Sequence, residues 1–351
     1  MAVLSILSGL LGVGILGLTI YSEDLVVQYE IFPREFADTN RGVFSEAYAK
    51  ATHPRLRDEY GFYLAPIVSI SWYIAYEVIR ISLVHLGTFF LLSGLRFMNR
   101  ILQEPSSRSI LARGVMNVCF LGSFGYHGIC MWKDMIQTDR IPASIQELAQ
   151  DLDSNNSNAS NLLYIPPTPH DRLYQYIPNF QRLSAVMAAF QIKNIIDTIY
   201  YKDGFIFFIH HLIVVFVAAW ALHPFAHFHG TFFFGVSETS TTLLALLANF
   251  SAKYGVPALE YEYPISRKFF GFLFALSFII VRSILWPFFT YFFIKDCLAV
   301  LDAKTEHDTI VVTSFIVMLL TLSVMQVLWL FQIISTIYKE LFASSPKEKA
   351  I

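Results

Sequence analysis

The chain has 351 residues, of which 55% are hydrophobic and 16% aromatic, while charged residues make up only 15% and the formal net charge is −2. These proportions exceed those of a water-soluble domain, and the near-neutral balance offers no electrostatic footprint for nucleic acid. The apolar residues gather in blocks long enough to cross a hydrocarbon layer of about 30 Å, which takes about 20 helical residues. The expected fold class is therefore all-α, a polytopic membrane bundle of about eight helices.

The first block, Leu4 to Ile20, reads as an N-terminal anchor within residues 1–21. It lacks the basic n-region and small-residue cleavage site of a signal peptide. Residues 22–61 then form a luminal segment. Leu64 to Leu95 is too long for one upright span and reads as a tilted span with an interfacial lead-in, followed by a cytosolic loop to complete 62–106. Glu77 and Arg80 lie one turn apart there and can pair. The remaining blocks are Leu111 to Met131, Leu183 to Tyr200, Phe205 to Leu222, Phe228 to Phe250, Phe270 to Phe293 and Ile310 to Ile337, making eight spans. Cys119, Cys130 and Cys297 lie in or beside these blocks at spacings that fit neither a metal site nor a disulfide framework, so buried thiols are expected.

Sidedness follows from the tail, 341–351. Lys347 and Lys349 stand fifth and third from its end, similar to the dilysine signal by which coat proteins retrieve membrane proteins to the endoplasmic reticulum. Such a tail works only in the cytosol, and eight spans then put the N-terminus there too. The segment from about 132 to 179 falls in the lumen. It carries the sequons at Asn155 and Asn158 and the acidic residues Asp139, Glu147, Asp151, Asp153 and Asp171. The loop around 96–108 falls in the cytosol with Arg96, Arg100 and Arg108, as the positive-inside tendency asks. A third sequon, at Asn249, lies inside a span and is expected to be silent. The localisation expected is the endoplasmic reticulum membrane, with both termini cytosolic. The partners expected are membrane lipids and the coat-protein retrieval machinery, with no nucleic acid.

Polar groups at bilayer depth cost several kcal/mol unless they have a partner or a task. Asp197, near the end of the fourth span, and His210 and His211, in the fifth, are separated by the short "YYKDG" link. Antiparallel neighbours at similar depth would let a carboxylate orient an imidazole as a general base. Glu238, amid Ser237, Thr239, Ser240, Thr241 and Thr242, has a candidate partner in Arg282 of the seventh span, and His127 sits toward the luminal end of the third. "LHPFAHFHG" joins spans five and six, with Pro224 and Gly230 marking its turn. Its His223, His227 and His229 invite a metal reading, but the separated histidine boxes of membrane di-iron oxygenases are missing, so no metal is expected. No G-x-S-x-G, P-loop or H-E-x-x-H motif appears.

In order and spacing these elements resemble the TLC-domain family, which takes in translocating-chain-associating membrane proteins, ceramide synthases and ceroid-lipofuscinosis proteins. The matching pieces are "LGSFGYH" (His127), "IKNIIDTIYY" (Asp197), "FIHH" (His210, His211), "G...ETST" (Gly235, Glu238, Ser240, Thr241) and "F...R" (Phe278, Arg282). The resemblance covers about Ser107 to Glu340, so 107–340 is taken as the domain. Glu238 with its serines and threonines stands where ceramide synthases carry aspartates, which makes the chain more similar to the small TLC-domain proteins. Thr242 and Ala245 stand where that branch usually has proline and asparagine. The resemblance implies a helical bundle around a lipid-sized cavity, in an endoplasmic reticulum protein of lipid metabolism or homeostasis. For the synthases it implies acyl transfer from acyl-CoA, as a co-substrate, at the histidine pair. Two readings stay open, beside a third, a transporter or channel, that has little beyond the span count in its favour. One is a lipid acyltransferase using His210, His211 and Asp197. The other is a non-catalytic lipid-sensing or cargo-binding protein in which the same groups hold the helices.

Overall fold

The structure, a computed structural model, describes residues 2–28, 64–136, 168–174, 177–222, 225–251, 253–303 and 309–342. Asn155, Asn158, His223, Lys347 and Lys349 lie outside the described residues, as do most of 22–61 and 132–179. The described residues form helices and turns, with no strand among them. In chain order the helices are α1 (Ala2–Gln28), α2 (Leu64–Gly94), α3 (Pro105–Ile136), the short α4 (Pro169–Tyr174), α5 (Pro178–Tyr201) and α6 (Phe205–Trp220). Next, α7 (His227–Gly230) runs through a π-helical turn (Thr231–Val236) into α8 (Glu238–Ala248). After the short α9 (Pro257–Glu262), α10 (Pro264–Phe278) runs through a second π-helical turn (Ile279–Leu285) into α11 (Trp286–Asp302), and α12 (Thr309–Phe342) completes the series.

Among the described residues, four helices are long and apolar enough to cross a membrane: Tyr73–Gly94, His227–Ala248, Pro264–Asp302 and Thr309–Tyr338, while Ser5–Thr19 and Phe205–Trp220 are shorter apolar helices. Their outer faces expose Leu10, Phe216, Phe272, Val324 and Phe331, side chains that suit hydrocarbon and not water. The protein is a multi-pass helical membrane bundle.

The helix ends follow local chemistry. Pro178, Pro257 and Pro264 each open a helix, where the missing N–H has no intrahelical acceptor in any case. The "YYKDG" link turns through Lys202 at φ 57 and Gly204 at φ 117. The second value suits glycine alone among the residues of this link, and it lets α5 and α6 run back along each other as antiparallel neighbours. The link before α7 differs from expectation at Gly230, while Pro224 lies outside the described residues. Ala226, at φ 58, makes the turn and donates its N–H to the carbonyl of Leu173 at 2.6 Å, while Gly230 is already helical.

The seventh span also exceeds its expected bounds. Helix runs unbroken over Pro264–Asp302 rather than Phe270 to Phe293, because no glycine or proline interrupts either flank. Pro287 stands two residues after the second π-helical turn. A proline there can donate no N–H and crowds the carbonyl one turn back, and a wider turn accommodates both.

Packing relies on close approach, since lipid gives no hydrophobic drive for helices to associate. A side chain at Gly128 of α3 would meet the backbone of Gly235 in the first π-helical turn, and one at Gly235 would meet Gly128. Around this crossing the interior is aromatic, with Phe180, Phe190, Phe225 and Phe232 almost wholly buried.

Candidate functional site

The bundle holds a partly open cavity of about 1110 Å³. It extends from Arg267 and Lys268 at one end to His229 and Phe293 at the other, with His210, His211, Glu238 and Arg282 also in its wall. Val214, Val217, Phe233 and Phe278 make much of the surface between them apolar. Its size and lining suit an alkyl chain with polar attachments.

His210 and His211 project from α6 about 100° apart. His211 donates from Nδ1 to the side-chain oxygen of Gln191 on α5 at 2.6 Å, and the amide of Gln191 in turn donates to the sulfur of Met187 at 3.4 Å. This fixes the tautomer of His211. His210 is held by shape: its ring meets Trp329 and His211 edge-on, each at 5.3 Å between centroids. Its Nδ1 is buried and has no hydrogen-bond partner among the described residues.

Asp197 does not join them. Its carboxylate accepts from Lys193 Nζ at 2.5 Å, one turn earlier on α5, and its other oxygen lies 3.7 Å from Arg113 Nε on α3. Arg113 also pairs with Asp203 of the α5–α6 link, and Lys193 lies 3.3 Å from the Nδ1 of His85. The physical reason is charge: two cations within reach attract a carboxylate more strongly than a neutral imidazole does. Lys193 at four residues' spacing was a visible signal in the sequence. Arg113 and His85 come from other helices and were not.

Glu238 and Arg282 do meet, at 3.2 Å between Oε1 and Nη2. Arg282 also donates to Ser240 Oγ at 3.1 Å, Thr241 Oγ1 at 2.8 Å and the carbonyl of Ser237 at 3.0 Å. The guanidinium is thus bonded from the turn of helix around Glu238, and it lies 4.9 Å from the centroid of the Trp286 ring. Both partners stand in or just after a π-helical turn. The serines and threonines bond back to their own helix: Ser237 to Phe233, Ser240 to Ser237 and Thr242 to Glu238.

His127 lies elsewhere. It is on the exposed outer face of α3, beside Tyr126, and does not line the cavity. Cys119 is exposed as well and Cys130 half-buried, against the expectation of buried thiols; Cys297 alone is fully buried. The reason is common to all three outward groups: α3 turns one side away from the bundle, and an apolar sequence block does not reveal which side that is.

The far end holds an arrangement that sequence reasoning missed. Asp296 of α11 is held by Arg172 of α4 through two bonds, at 2.7 and 2.6 Å, and accepts from His229 Nε2 at 2.9 Å. His227 is committed to the backbone, accepting from the N–H of Ile177 at 3.0 Å and donating to the carbonyl of Ala221 at 2.9 Å. The histidines of "HFHG" are therefore individually engaged. The only hint in the sequence was Asp296 itself, an acidic residue just beyond the expected end of a span.

No curated protein and no solved structure matches the chain. A family model, that of the TLC domain, matches residues 144–335. This range covers the histidine pair, the Glu238–Arg282 site and Asp296, and the family is one of membrane proteins linked to lipid metabolism or sensing. The chain belongs to the TLC-domain family.

Proposed function

We propose that the protein is an endoplasmic reticulum acyltransferase that moves an acyl group from acyl-CoA to a lipid acceptor at the histidine pair. The observation that carries this reading is His210, which lines the lipid-sized cavity and whose buried Nδ1 has no hydrogen-bond partner among the described residues, while His211 is locked to Gln191. The acyl chain lies among Val214, Val217 and the phenylalanines. Arg113, Arg267 and Lys268 line the same cavity toward the end that the sequence assigns to the cytosol, and they suit the phosphates of the coenzyme. His210 takes a proton from the acceptor's hydroxyl or amine as that oxygen or nitrogen bonds to the acyl carbon. The carbon–sulfur bond of the thioester then breaks, and the leaving thiolate takes the proton from the imidazolium. Asp197 acts at a distance, holding Lys193 and Arg113 in place.

A second reading, lipid binding without catalysis, is favoured by one observation: no carboxylate among the described residues is hydrogen-bonded to either histidine of the pair. Purified protein and the His210→Ala/His211→Ala variant, supplied with labelled acyl-CoA and a panel of sphingoid bases and lysolipids, separate the two. Histidine-dependent product by mass spectrometry supports acyl transfer. Retention of the acyl chain with no product in either protein supports binding alone.

A further inference from the structure

α10 and α11 form one continuous helix, and α12 packs beside it along α11 and the second π-helical turn. The two arms are antiparallel: Phe293 meets Phe315 at 6.5 Å between ring centroids, and Trp286 Nε1 donates to Ser323 Oγ at 2.9 Å. Along this stretch α12 buries Val312, Phe315, Leu319, Leu322 and Met325. Nearer its end it stands clear of the bundle, for every residue from Phe331 to Tyr338 is exposed except the half-buried Ile333. The main neighbours of α10 are instead α8 and α9. Long helices bend at π-helical turns and prolines, and this helix carries both between α10 and α11. The arms part below that point.

The register of the arms locates the gap. Phe272 lies fourteen residues before Trp286, and Ile337 lies fourteen after Ser323, so the two stand at one level. Gly271 and Phe272 on α10, and Gln332, Ile333, Thr336 and Ile337 on α12, all line the cavity. Yet Phe272 is 65% exposed and Ile337 39%. A side chain lines an interior and meets the outside together only where that interior opens. Both edges lie within apolar spans, so the slot faces hydrocarbon. It also leads to the histidine pair. Trp329, one turn before Ile333 and on the same face, lines the cavity and meets the His210 ring edge-on at 5.3 Å.

We propose that this slot between α10 and α12 is the side entry by which a membrane lipid, the acceptor of the reaction proposed above, reaches His210 from the bilayer. An alkyl chain fits between Phe272 and Ile337, while Gln332 and Thr336 offer hydrogen bonds to a polar group passing with it. The coenzyme comes from water and the acceptor from hydrocarbon, so a reaction joining them is served by two entries. The inference rests on that reading for the lipid's role, but lipid entry itself needs no acyl transfer.

The test places the full chain in phosphatidylcholine nanodiscs and adds hexadecanol carrying a diazirine. Flashes at timed intervals, read by mass spectrometry, give the labelling of Val214 in the cavity wall against Phe216 on the outer face of the same helix. Ile333→Cys is folded first and then plugged with pyrene maleimide. Labelling of Val214 is expected to slow by about tenfold, with the final level and the labelling of Phe216 unchanged. Two controls are expected to leave the rate as it was: wild type given the same reagent, which its exposed Cys119 can take, and a plugged Tyr254→Cys, where an exposed residue lines the cavity beyond α8. An unchanged rate in plugged Ile333→Cys overturns the proposal, as does slowing by the plug at Tyr254 instead. A lower final level at an unchanged rate means that the plug only fills space, and overturns it too. The acylation assay above is independent: slowed entry without acyl product would sink acyl transfer alone, and product with unslowed entry would sink the slot alone.

Discussion

Arg282→Met is the perturbation that best tests how this bundle holds charge in the membrane. Arg282 is 8% exposed and donates to Glu238, Thr241, Ser240 and the carbonyl of Ser237. Methionine keeps the linear apolar stem, so little packing is lost. What remains is a half-buried Glu238 carboxylate without its counter-charge, together with hydroxyls that lose a donor. Removing one member of such a pair costs about 3–5 kcal/mol, most of it the desolvated survivor. The double variant Glu238→Met/Arg282→Met deletes the survivor too, and is expected to recover most of that loss. Unfolding by dodecyl sulfate in mixed micelles, with both single variants and the double, gives the coupling free energy. A coupling below about 0.5 kcal/mol, which is within the additivity of independent sites, would refute the reasoning and show that the pair is hydrated through the cavity.

Four further predictions are independent of that pair. Gln191→Leu deprives the His211 Nδ1 proton of its acceptor and is expected to destabilise by about 1–3 kcal/mol, whereas Gln191→Glu keeps an acceptor; equal losses in the two, by the same unfolding assay, would count against the assigned bond. Gly128→Val places a branched side chain against the backbone of Gly235; loss of monodisperse folded protein on size-exclusion chromatography is expected, and a normal profile would show that this crossing opens freely. Arg172→Met leaves Asp296 without its bidentate partner and is expected to cost about 3–5 kcal/mol, with α4 becoming protease-sensitive; wild-type resistance would mean that α4 is held by other contacts. For topology, endoglycosidase is expected to shift the mobility of the wild-type chain and not of an Asn155→Gln/Asn158→Gln variant, and an unshifted wild type would remove the luminal assignment of that segment.

Much of the site was legible because charge in apolar helices is conspicuous. Glu77 with Arg80, and Glu238 with Arg282, are pairings that the sequence offers and the structure makes, at 2.8 Å and 3.2 Å. Their legibility has a simple cause: opposite charges at matched depth have few other partners. Asp197 shows where that logic failed. It was read against the histidines across the turn, yet Lys193 on its own helix and Arg113 from α3 were better electrostatic partners. His127 failed differently, since it faces outward from a helix whose orientation the sequence leaves open.

The sequence by itself determined that the chain is a helical membrane bundle, because long apolar blocks must satisfy their backbone bonds internally as helices. It also determined the short link that makes α5 and α6 neighbours, through the conformational freedom of Gly204. Only the tertiary structure decided which polar groups meet. Rotation about each helix axis turns His210 toward the cavity and His127 away from it. Packing between segments more than a hundred residues apart in the chain brings Arg172 to Asp296, and with Asp296 comes His229. A periodic apolar sequence fixes that a helix exists; its rotation and its partners are set by packing against the other helices.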